Sequence, residues 1–207
     1  MSLTIDESAL IAQSKKGDLD AFNCLVLSYQ DQAYNLALRM LGDQPSAEDV
    51  VQDSFIKAYK KLHAFRGGSF RAWILRITTN NCLDVLRRQK RTPTLPLNPI
   101  NEDSVEEQES PYWLADDSPS AEEKVIQKEL GDVIQRCLQQ LPEDFRAVVV
   151  LVDVQGLNYQ EAAKVVKSPL GTIRSRLARA RQRLQKCLQR VWELLPEKYR
   201  LMDEGGS

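Results

Sequence analysis

The segment 169–186, PLGTIRSRLARARQRLQK, concentrates six positive charges and contains no acidic side chain. Arginine can pair with the edge of guanine through two hydrogen bonds or neutralise a phosphate, and a helix fits the major groove of DNA. At helical spacing the leucines and Ile173 form one apolar stripe. Away from that stripe lie Thr172, Ser175, Ala178, Arg179, Gln182 and Lys186, with Arg176 and Arg183 beside them. Arg174 and Arg181 lie on the other margin of the stripe.

A basic helix can also be an ordinary solvated surface. Such surfaces usually carry Glu one turn from each cation, because the pairs stabilise the helix. No acid occurs from Gly171 to Arg190, so the pattern favours nucleic-acid binding. The helix start after Pro169 also suits a phosphate, because the amides at a helix N-terminus attract anions.

A second candidate site lies in FRAWILRITTNNCLDVLRRQKR, which follows a Gly-Gly-Ser turn at 67–69. Trp73 and Asn80 share one side of the predicted helix, two turns apart. An aromatic platform with neighbouring cations can hold unstacked bases, and the nearby cations are Arg76, Arg87 and Arg88. Trp73 could instead close a small core. The two interpretations are compatible, because one ring face can pack while an edge stays open.

A third candidate surface lies in AEDVVQDSFIKAYKKL. At helical spacing Val51, Phe55, Ala58, Tyr59 and Leu62 form a buried face. The opposite side gathers Asp49, Gln52, Asp53 and Ile56. An isoleucine among exposed polar groups indicates a protein contact more than a solvated face.

The elements that position these residues all have helical periodicity. Asp18 is a candidate cap for a long helix, and Pro45-Ser46 opens the next one. After residue 120 we expect a helix over 121–141, a second in PEDFRAVVVLVDV, a short one in NYQEAAKVV and then the basic helix. The break at Lys167-Ser168-Pro169 makes the last two a helix-turn-helix. The fold class predicted is therefore all-α.

The charge distribution divides the chain. Residues 1–91 carry 13 basic and 10 acidic side chains. Residues 92–123 carry 9 acidic side chains and no basic one, and residues 124–207 carry 15 basic and 10 acidic side chains. The acidic stretch also holds five prolines, which oppose helix formation. We therefore expect two helical domains, 1–91 and 121–191, joined by an extended acidic linker over 92–120 and followed by a tail over 192–207.

Other functional classes find little support. The four cysteines are far apart and His63 is the only histidine, so we expect no metal site and no cofactor. Cys82, Cys137 and Cys187 lie in helical apolar patterns, where a reduced, buried thiol is the ordinary interpretation. No phosphate-binding glycine loop or nucleophile motif occurs, so an enzyme is not expected. The absence of an export signal or a long apolar run favours a cytoplasmic protein.

Several motifs occur in an order that resembles the extracytoplasmic-function type of bacterial RNA polymerase sigma factor. They cover nearly the whole chain outside the linker. In order, they are DVVQDSFIKAY at 49–59, FRG at 65–67, Trp73 with Arg76, Ile77 and Asn80, LPEDFR at 141–146, Tyr159 with Glu161 and Ala163, and PLGTIRSRLARAR at 169–181.

The resemblance implies a role for each candidate surface. Asp49, Gln52 and Asp53, beside Ile56, would dock on the coiled-coil of the largest subunit of core polymerase. The second domain would meet the polymerase flap. The loop from Ala64 to Phe70 would capture an unpaired base of the −10 promoter element and help to melt the duplex. That site comprises Phe65, Arg66, Phe70, Trp73, Arg76, Asn80, Arg87 and Arg88.

For the −35 element, the resemblance implies that Arg174, Ser175 and Arg179 read the major groove. Their supporting residues would be Arg146, Thr172, Arg176 and Arg181. It also implies an anti-sigma partner, often membrane-tethered, without insertion of the chain itself into a membrane. Lys167 departs from the family pattern, because relatives often have glycine at this break, so strain is expected there.

Two alternatives stay open at this point. A helix-turn-helix regulator that acts outside the polymerase would explain the second domain, but not the Asp49 surface or the Trp73–Asn80 line. A sigma-like decoy that only sequesters a regulator would support no initiation. Binding to core polymerase and run-off transcription distinguish these alternatives from a sigma factor.

Overall fold

The computed structural model describes residues 6–91 and 121–192, and all regular structure in these two segments is helical. This agrees with the predicted all-α class. The predicted linker, residues 92–120, and the tail beyond Trp192 lie outside the described residues. Within the described segments, no helix combines the length and apolar character needed to cross a bilayer.

The first module, residues 6–91, contains α1 (Glu7–Lys15), α2 (Leu19–Leu41), α3 (Gln44–Lys61), a short 3-10 turn (Leu62–Ala64) and α4 (Phe70–Arg91). The predicted cap is present, since the Asp18 carboxylate accepts a hydrogen bond from the amide of Ala21. Helix α3 begins slightly earlier than expected, because Asp43 caps it through the amide of Ser46. The glycine turn before α4 uses positive φ angles at Gly67 and Gly68.

Helix α1 was not predicted from the sequence. It shows little helical amphipathicity and contributes Ile11 as its buried hydrophobic residue. Polar contacts attach α1 to the rest of the module. The Lys15 ammonium donates a hydrogen bond to the Phe65 carbonyl at 2.6 Å, and the Tyr29 hydroxyl donates one to the Glu7 carboxylate. Burial of the Tyr29 side chain is the main cause that raises its pKa to about 12, and the hydrogen bond to Glu7 adds to the shift.

The second module, residues 121–192, contains α5 (Ala121–Gln139), α6 (Glu143–Val149), a π-helical turn (Val150–Val154), α7 (Tyr159–Val166) and α8 (Leu170–Trp192). The π turn was not predicted. In it the amide of Gln155 donates to the carbonyl of Val150 at 2.8 Å. Helices α7 and α8 form the predicted helix-turn-helix, and α7 begins with a capping box between Asn158 and Glu161.

The two modules pack directly on each other. Helices α2 and α4 of the first module contact α5, α6 and α7 of the second. One hydrophobic cluster runs through both modules and includes Leu36, Met40 and Leu75 together with Leu138 and Val148. The sequence predicted two domains but did not predict this shared core.

Cys137 and Cys187 form a disulfide with their Cα atoms 5.7 Å apart. The expectation of reduced thiols is therefore wrong for this pair. The reason is tertiary, because α5 and α8 lie side by side and bring together two cysteines that are 50 residues apart. Cys24 and Cys82 are free thiols. Burial raises the pKa of the Cys82 thiol to about 12, so this thiol stays protonated near neutral pH.

Candidate nucleic-acid interface

Helix α8 has the two sides that its sequence predicts. Ile173, Leu177 and Ala180 are buried against the module. Arg174, Ser175 and Arg179 are exposed on other sides of the helix. Within the described part of the chain, neither Arg174 nor Arg179 has an ion-pair partner. Their guanidinium groups are therefore available to an anion or a base edge.

Two other arginines of α8 are engaged by acidic residues of the same module. Arg181 binds both carboxylate oxygens of Asp153, at 2.6 and 3.0 Å. The hydrogen bonds to Asp153 raise the pKa of Arg181. Arg176 is half-buried and pairs with Asp144 at 2.7 Å. These two arginines hold α8 to the π turn and to α6, so only part of their charge faces outward.

Arg146, a predicted −35 contact, is buried in this structure with 5% of its surface exposed. Its guanidinium donates to the carbonyls of Met40, Gln139 and Leu141 and to the Gln139 side chain. Burial lowers the pKa of Arg146, and its Nε atom has no hydrogen-bond partner among the described residues. In the packed arrangement, Arg146 joins the modules and does not reach the surface.

The turn of the helix-turn-helix contains a strained residue. Lys167 adopts the left-handed conformation, with φ 52° and ψ 46°, and its amide donates to the carbonyl of Ala163. It is the sole non-glycine residue with a positive φ in the described segments. After the turn, Pro169 directly precedes α8, and its carbonyl accepts hydrogen bonds from the amides of Thr172 and Ile173. Thr172 is partly exposed there, as its predicted phosphate contact requires.

In the first module, an aromatic cluster positions Trp73. Its ring centroid lies 5.3 Å from that of Phe65 and 5.5 Å from that of Phe70. Phe65 and Phe70 are buried, whereas Trp73 is only partly buried. Trp73 therefore packs in the aromatic cluster, as one of the two interpretations expected, and part of its ring stays accessible. Phe65 and Phe70 support the indole and do not reach the surface.

The polar residues predicted beside Trp73 lie at or near the surface. Asn80 is partly buried, while Arg66, Arg76 and Arg88 are exposed. Arg87 is also exposed and pairs with Asp84 at 3.1 Å. The structure thus places a partly open indole, an amide and several exposed cations along α4 and its preceding loop.

A buried polar network links α3 to α4. The Asn81 side chain donates to Ser54 Oγ at 2.8 Å and accepts a hydrogen bond from the Lys57 ammonium at 2.8 Å. Ser54 in turn donates to the carbonyl of Val50 at 2.6 Å. This network fixes the helix that carries Asn80 relative to the helix that carries Asp53. The sequence did not predict this network, because Ser54, Lys57 and Asn81 are only polar positions within predicted helices.

The exposed side of α3 is as predicted. Asp49, Gln52 and Asp53 are exposed, and 46% of the surface of Ile56 is accessible. Between α2 and α3 runs an open groove of about 800 Å³. Its apolar lining includes Phe22, Val26, Val51, Phe55, Ile56 and Tyr59. The charged residues that line the same groove are Asp31, Glu48 and Lys60.

Comparison with known proteins assigns each module to a described region. The family model for sigma-70 region 2 matches residues 25–92, and the model for sigma-70 region 4 matches residues 131–184. The ECF RNA polymerase sigma-E factor of Escherichia coli strain K12 is 38% identical over 178 residues, which cover 84% of this chain and 90% of that protein. The chain belongs to the extracytoplasmic-function sigma factors.

Other relatives agree with this assignment. The RNA polymerase sigma-H factor of Pseudomonas aeruginosa PAO1 is 37% identical to this sigma factor over 170 residues, 82% of this chain and 86% of that one. CnrH, solved in complex with the cytosolic domain of CnrY, matches with a TM-score of 0.62 at 27% identity, covering 88% of this chain and 96% of CnrH. RpoE, solved with the anti-sigma factor NepR from Bartonella quintana, matches with a TM-score of 0.60 at 27% identity, covering 81% and 96%.

As a sigma factor, the protein is a transcription initiation factor of RNA polymerase. The alternative of a helix-turn-helix regulator outside the polymerase is not favoured, because it leaves the region 2 match over residues 25–92 without an explanation. The sites built above therefore belong to an initiation factor.

Proposed function

We propose that this sigma factor directs core RNA polymerase to promoters by using its first module on the −10 element and its second module on the −35 element. The observation that carries the proposal is that both family-matched modules carry side chains that could contact DNA, partly accessible on the first module and exposed on the second. Trp73 and Asn80 lie on the region 2 module, and Arg174 and Arg179 lie on the region 4 module.

For the −35 element, Arg174, Ser175 and Arg179 enter the major groove. Their exposure and the absence of acidic partners for the two arginines within the described segments support this role. Thr172 and the start of α8 receive a phosphate. Arg176 and Arg181 orient the helix through Asp144 and Asp153 and add positive charge beside the backbone of the DNA. Any DNA contact of Arg146 requires the modules to separate.

For the −10 element, Trp73 and Asn80 hold an unpaired base. A base stacked on an aromatic side chain gains about 1–3 kcal/mol, which favours the open duplex. Phe65 and Phe70 keep the indole in place. The exposed cations Arg66, Arg76, Arg87 and Arg88 neutralise the nearby phosphates.

The core polymerase docks on α3. Asp49, Gln52, Asp53 and Ile56 form the contact with the coiled-coil of its largest subunit, and the groove beside Ile56 receives apolar side chains. The second module meets the flap. The polymerase itself catalyses RNA synthesis. We also propose that the protein acts in the cytoplasm and is held by an anti-sigma factor. The match to RpoE in its complex with NepR supports the anti-sigma partner.

Run-off transcription with core polymerase and a genomic promoter library tests this proposal. Full-length protein should direct defined transcripts, and core polymerase alone should not. Asp53→Lys should reduce co-purification with core polymerase, because it reverses the charge of an exposed carboxylate on the outer side of α3. Asp20→Lys, at an exposed site in the first turn of α2, should not. A chain that never binds core polymerase, or binds it without initiating, would contradict the proposal and support a decoy.

A further inference from the structure

The loop between the 3-10 turn and α4 comprises residues 65–69, with the sequence FRGGS. Gly67 and Gly68 have φ angles of 92° and 89°, a region that glycine enters without steric cost. Within the described segments, no heavy atom of a neighbouring element lies within 4 Å of a Cβ atom built at either glycine. The middle of the loop is therefore not held by packing, and the position of the loop depends on how its two ends are held.

The far end of the loop is held by the helix that follows it. The Ser69 hydroxyl accepts a hydrogen bond from the amide of Ala72 at 3.1 Å, and the Ser69 carbonyl accepts one from the amide of Trp73 at 3.1 Å. A residue that caps a helix N-terminus makes contacts of this kind. Both contacts are local to the start of α4, so they do not fix the loop relative to the other helices of the module.

The near end of the loop is held from α1. The Lys15 ammonium donates a hydrogen bond to the carbonyl of Phe65 at 2.6 Å. The Phe65 amide closes the preceding turn, because it donates to the carbonyl of Leu62 at 3.0 Å. Among the described residues, no backbone amide donates to the Phe65 carbonyl, so the ammonium is the donor that satisfies it. A hydrogen bond from a charged donor is roughly twice as strong as one between neutral groups.

The same ammonium also contacts the aromatic cluster. The Lys15 Nζ atom lies 5.6 Å from the centroid of the Phe65 ring, within the range of a cation–π interaction. The Phe65 ring in turn lies 5.3 Å from the ring of Trp73. A displacement of Phe65 would therefore move both the start of the loop and one of the rings that pack against the indole.

Two adjacent lysines at the end of α1 differ in what they contact. Lys15 and Lys16 are both exposed, so either ammonium could attract the phosphates of DNA. The Lys15 ammonium is directed at the Phe65 carbonyl, whereas the Lys16 side chain makes no hydrogen bond or ion pair with the part of the chain that the structure describes. The contact with the loop, and not the charge, distinguishes Lys15 from its neighbour.

We infer that Lys15 is a positioning residue for −10 recognition: it fixes the start of loop 65–69 and, through Phe65, the orientation of the Trp73 indole that receives an unpaired base. This inference rests on the proposed function. It extends the −10 site to α1, which carries none of the residues proposed above for that site. Lys15 acts through the backbone and the ring of Phe65 and does not itself read the base.

Binding of the holoenzyme to forked promoter DNA measures base capture. The fork is made from a promoter found by run-off transcription, with the non-template strand of its −10 element unpaired. A matched set of forks carries an abasic residue at each unpaired position in turn. The captured base is the one whose removal weakens binding by the wild-type holoenzyme most. Because an abasic residue keeps its phosphate, the ratio of the affinities for the intact and the abasic fork reports capture of the base and not attraction to the DNA backbone.

Lys15→Met should lower this ratio by about threefold or more, because a displaced loop and indole lose part of the stacking free energy. Methionine keeps an unbranched side chain and removes the donor and the charge. Lys16→Met is the matched control and should retain the wild-type ratio. Lys15→Arg should retain most of the ratio, because a guanidinium can donate to the same carbonyl.

The possible outcomes separate this inference from the proposed function. A wild-type ratio in Lys15→Met would overturn the inference and leave the sigma-factor function intact. Equal losses of affinity for intact and abasic forks would also overturn it, because a lysine that supplies only charge or stability predicts that result. Wild-type holoenzyme that binds every abasic fork as tightly as the intact fork would instead contradict base capture by the first module. If Lys15→Met does not fold, Lys15→Gln takes its place under the same criteria.

Discussion

The Arg146 guanidinium hydrogen-bonds to the Met40 carbonyl, which lies 106 residues earlier in the chain and in the other module. Arg146 also binds the carbonyls of Gln139 and Leu141. One buried side chain thus satisfies acceptors from both modules, and its removal leaves those acceptors without partners.

Arg146→Met should destabilise the protein. Loss of charged hydrogen bonds together with unpaired buried carbonyls should lower the free energy of unfolding by about 3 kcal/mol. Urea denaturation followed by circular dichroism measures this change. Arg179→Met is the control, because Arg179 is exposed and its replacement should shift the free energy of unfolding by about 0.5 kcal/mol or less. Equal midpoints for the two variants would contradict the role of Arg146.

Arg174→Ala and Arg179→Ala should impair −35 recognition without loss of stability. Each bidentate contact with guanine contributes about 1–3 kcal/mol of discrimination, so either variant should reduce the preference for the cognate −35 sequence by about fivefold or more. Promoter binding by the holoenzyme, measured on matched and altered −35 sequences, tests this. Arg190→Ala, near the other end of α8, should leave the preference unchanged. Undiminished discrimination in both test variants would refute the assignment of α8.

Trp73→Ala should impair promoter opening more than binding to core polymerase. The lost stacking surface costs about 1–3 kcal/mol per base, which should reduce the open complex seen by permanganate footprinting. Trp73→Phe should retain part of the signal, because a smaller ring can still stack and pack beside Phe65. Asn80→Ala should reduce opening with the aromatic cluster intact. Normal footprints in both alanine variants would contradict the assignment of this site.

Cys187→Ser should destabilise the oxidised protein. A disulfide that closes a loop of about 50 residues stabilises a fold by about 4 kcal/mol in the chain-entropy description. Denaturant unfolding should show the difference under oxidising conditions, and a reductant should bring wild-type protein close to the variant. Cys24→Ser should have little effect, because Cys24 is a free thiol. The same stability with and without reductant would show that the bond is absent in solution.

Lys167→Gly should stabilise the second module. A side chain in the left-handed region costs about 1–2 kcal/mol relative to the right-handed region, and glycine relieves this cost. We expect a gain of about 1 kcal/mol in the free energy of unfolding. Lys164→Gly, three residues earlier within α7, should have the opposite sign and cost about 1 kcal/mol. A loss of stability in Lys167→Gly would indicate that the lysine side chain compensates for the strain.

Much of the fold follows from local sequence. The cap at Asp18, the glycine turn before Phe70 and the spacing of Ile173 and Leu177 each act within a few residues, so they can be predicted from the sequence. The exposed side of α3 and the helix-turn-helix could be predicted for the same reason. Helix α1 was missed because it depends on distant partners of Lys15 and Glu7.

Long-range relationships explain the other differences. A buried arginine and an exposed arginine look alike in a sequence, so Arg146 was grouped with the residues of α8. Phe65 and Phe70 were grouped with Trp73, although only the indole is partly accessible. The disulfide joins residues 50 apart, and no local pattern marks it. The shared core of the modules could not be predicted for the same reason. An apolar stripe predicts that a helix face is buried, but it does not indicate which helix covers that face.

Arg174 and Arg179 take no part in the packing of α8 against its module. The buried residues Ile173, Leu177 and Ala180 make that contact. Mutation can therefore alter these two arginines with little penalty in folding. Across lineages, promoter preference could drift while the architecture stays constant. A genome could duplicate such a factor and assign the copy to a new set of genes after only a few substitutions.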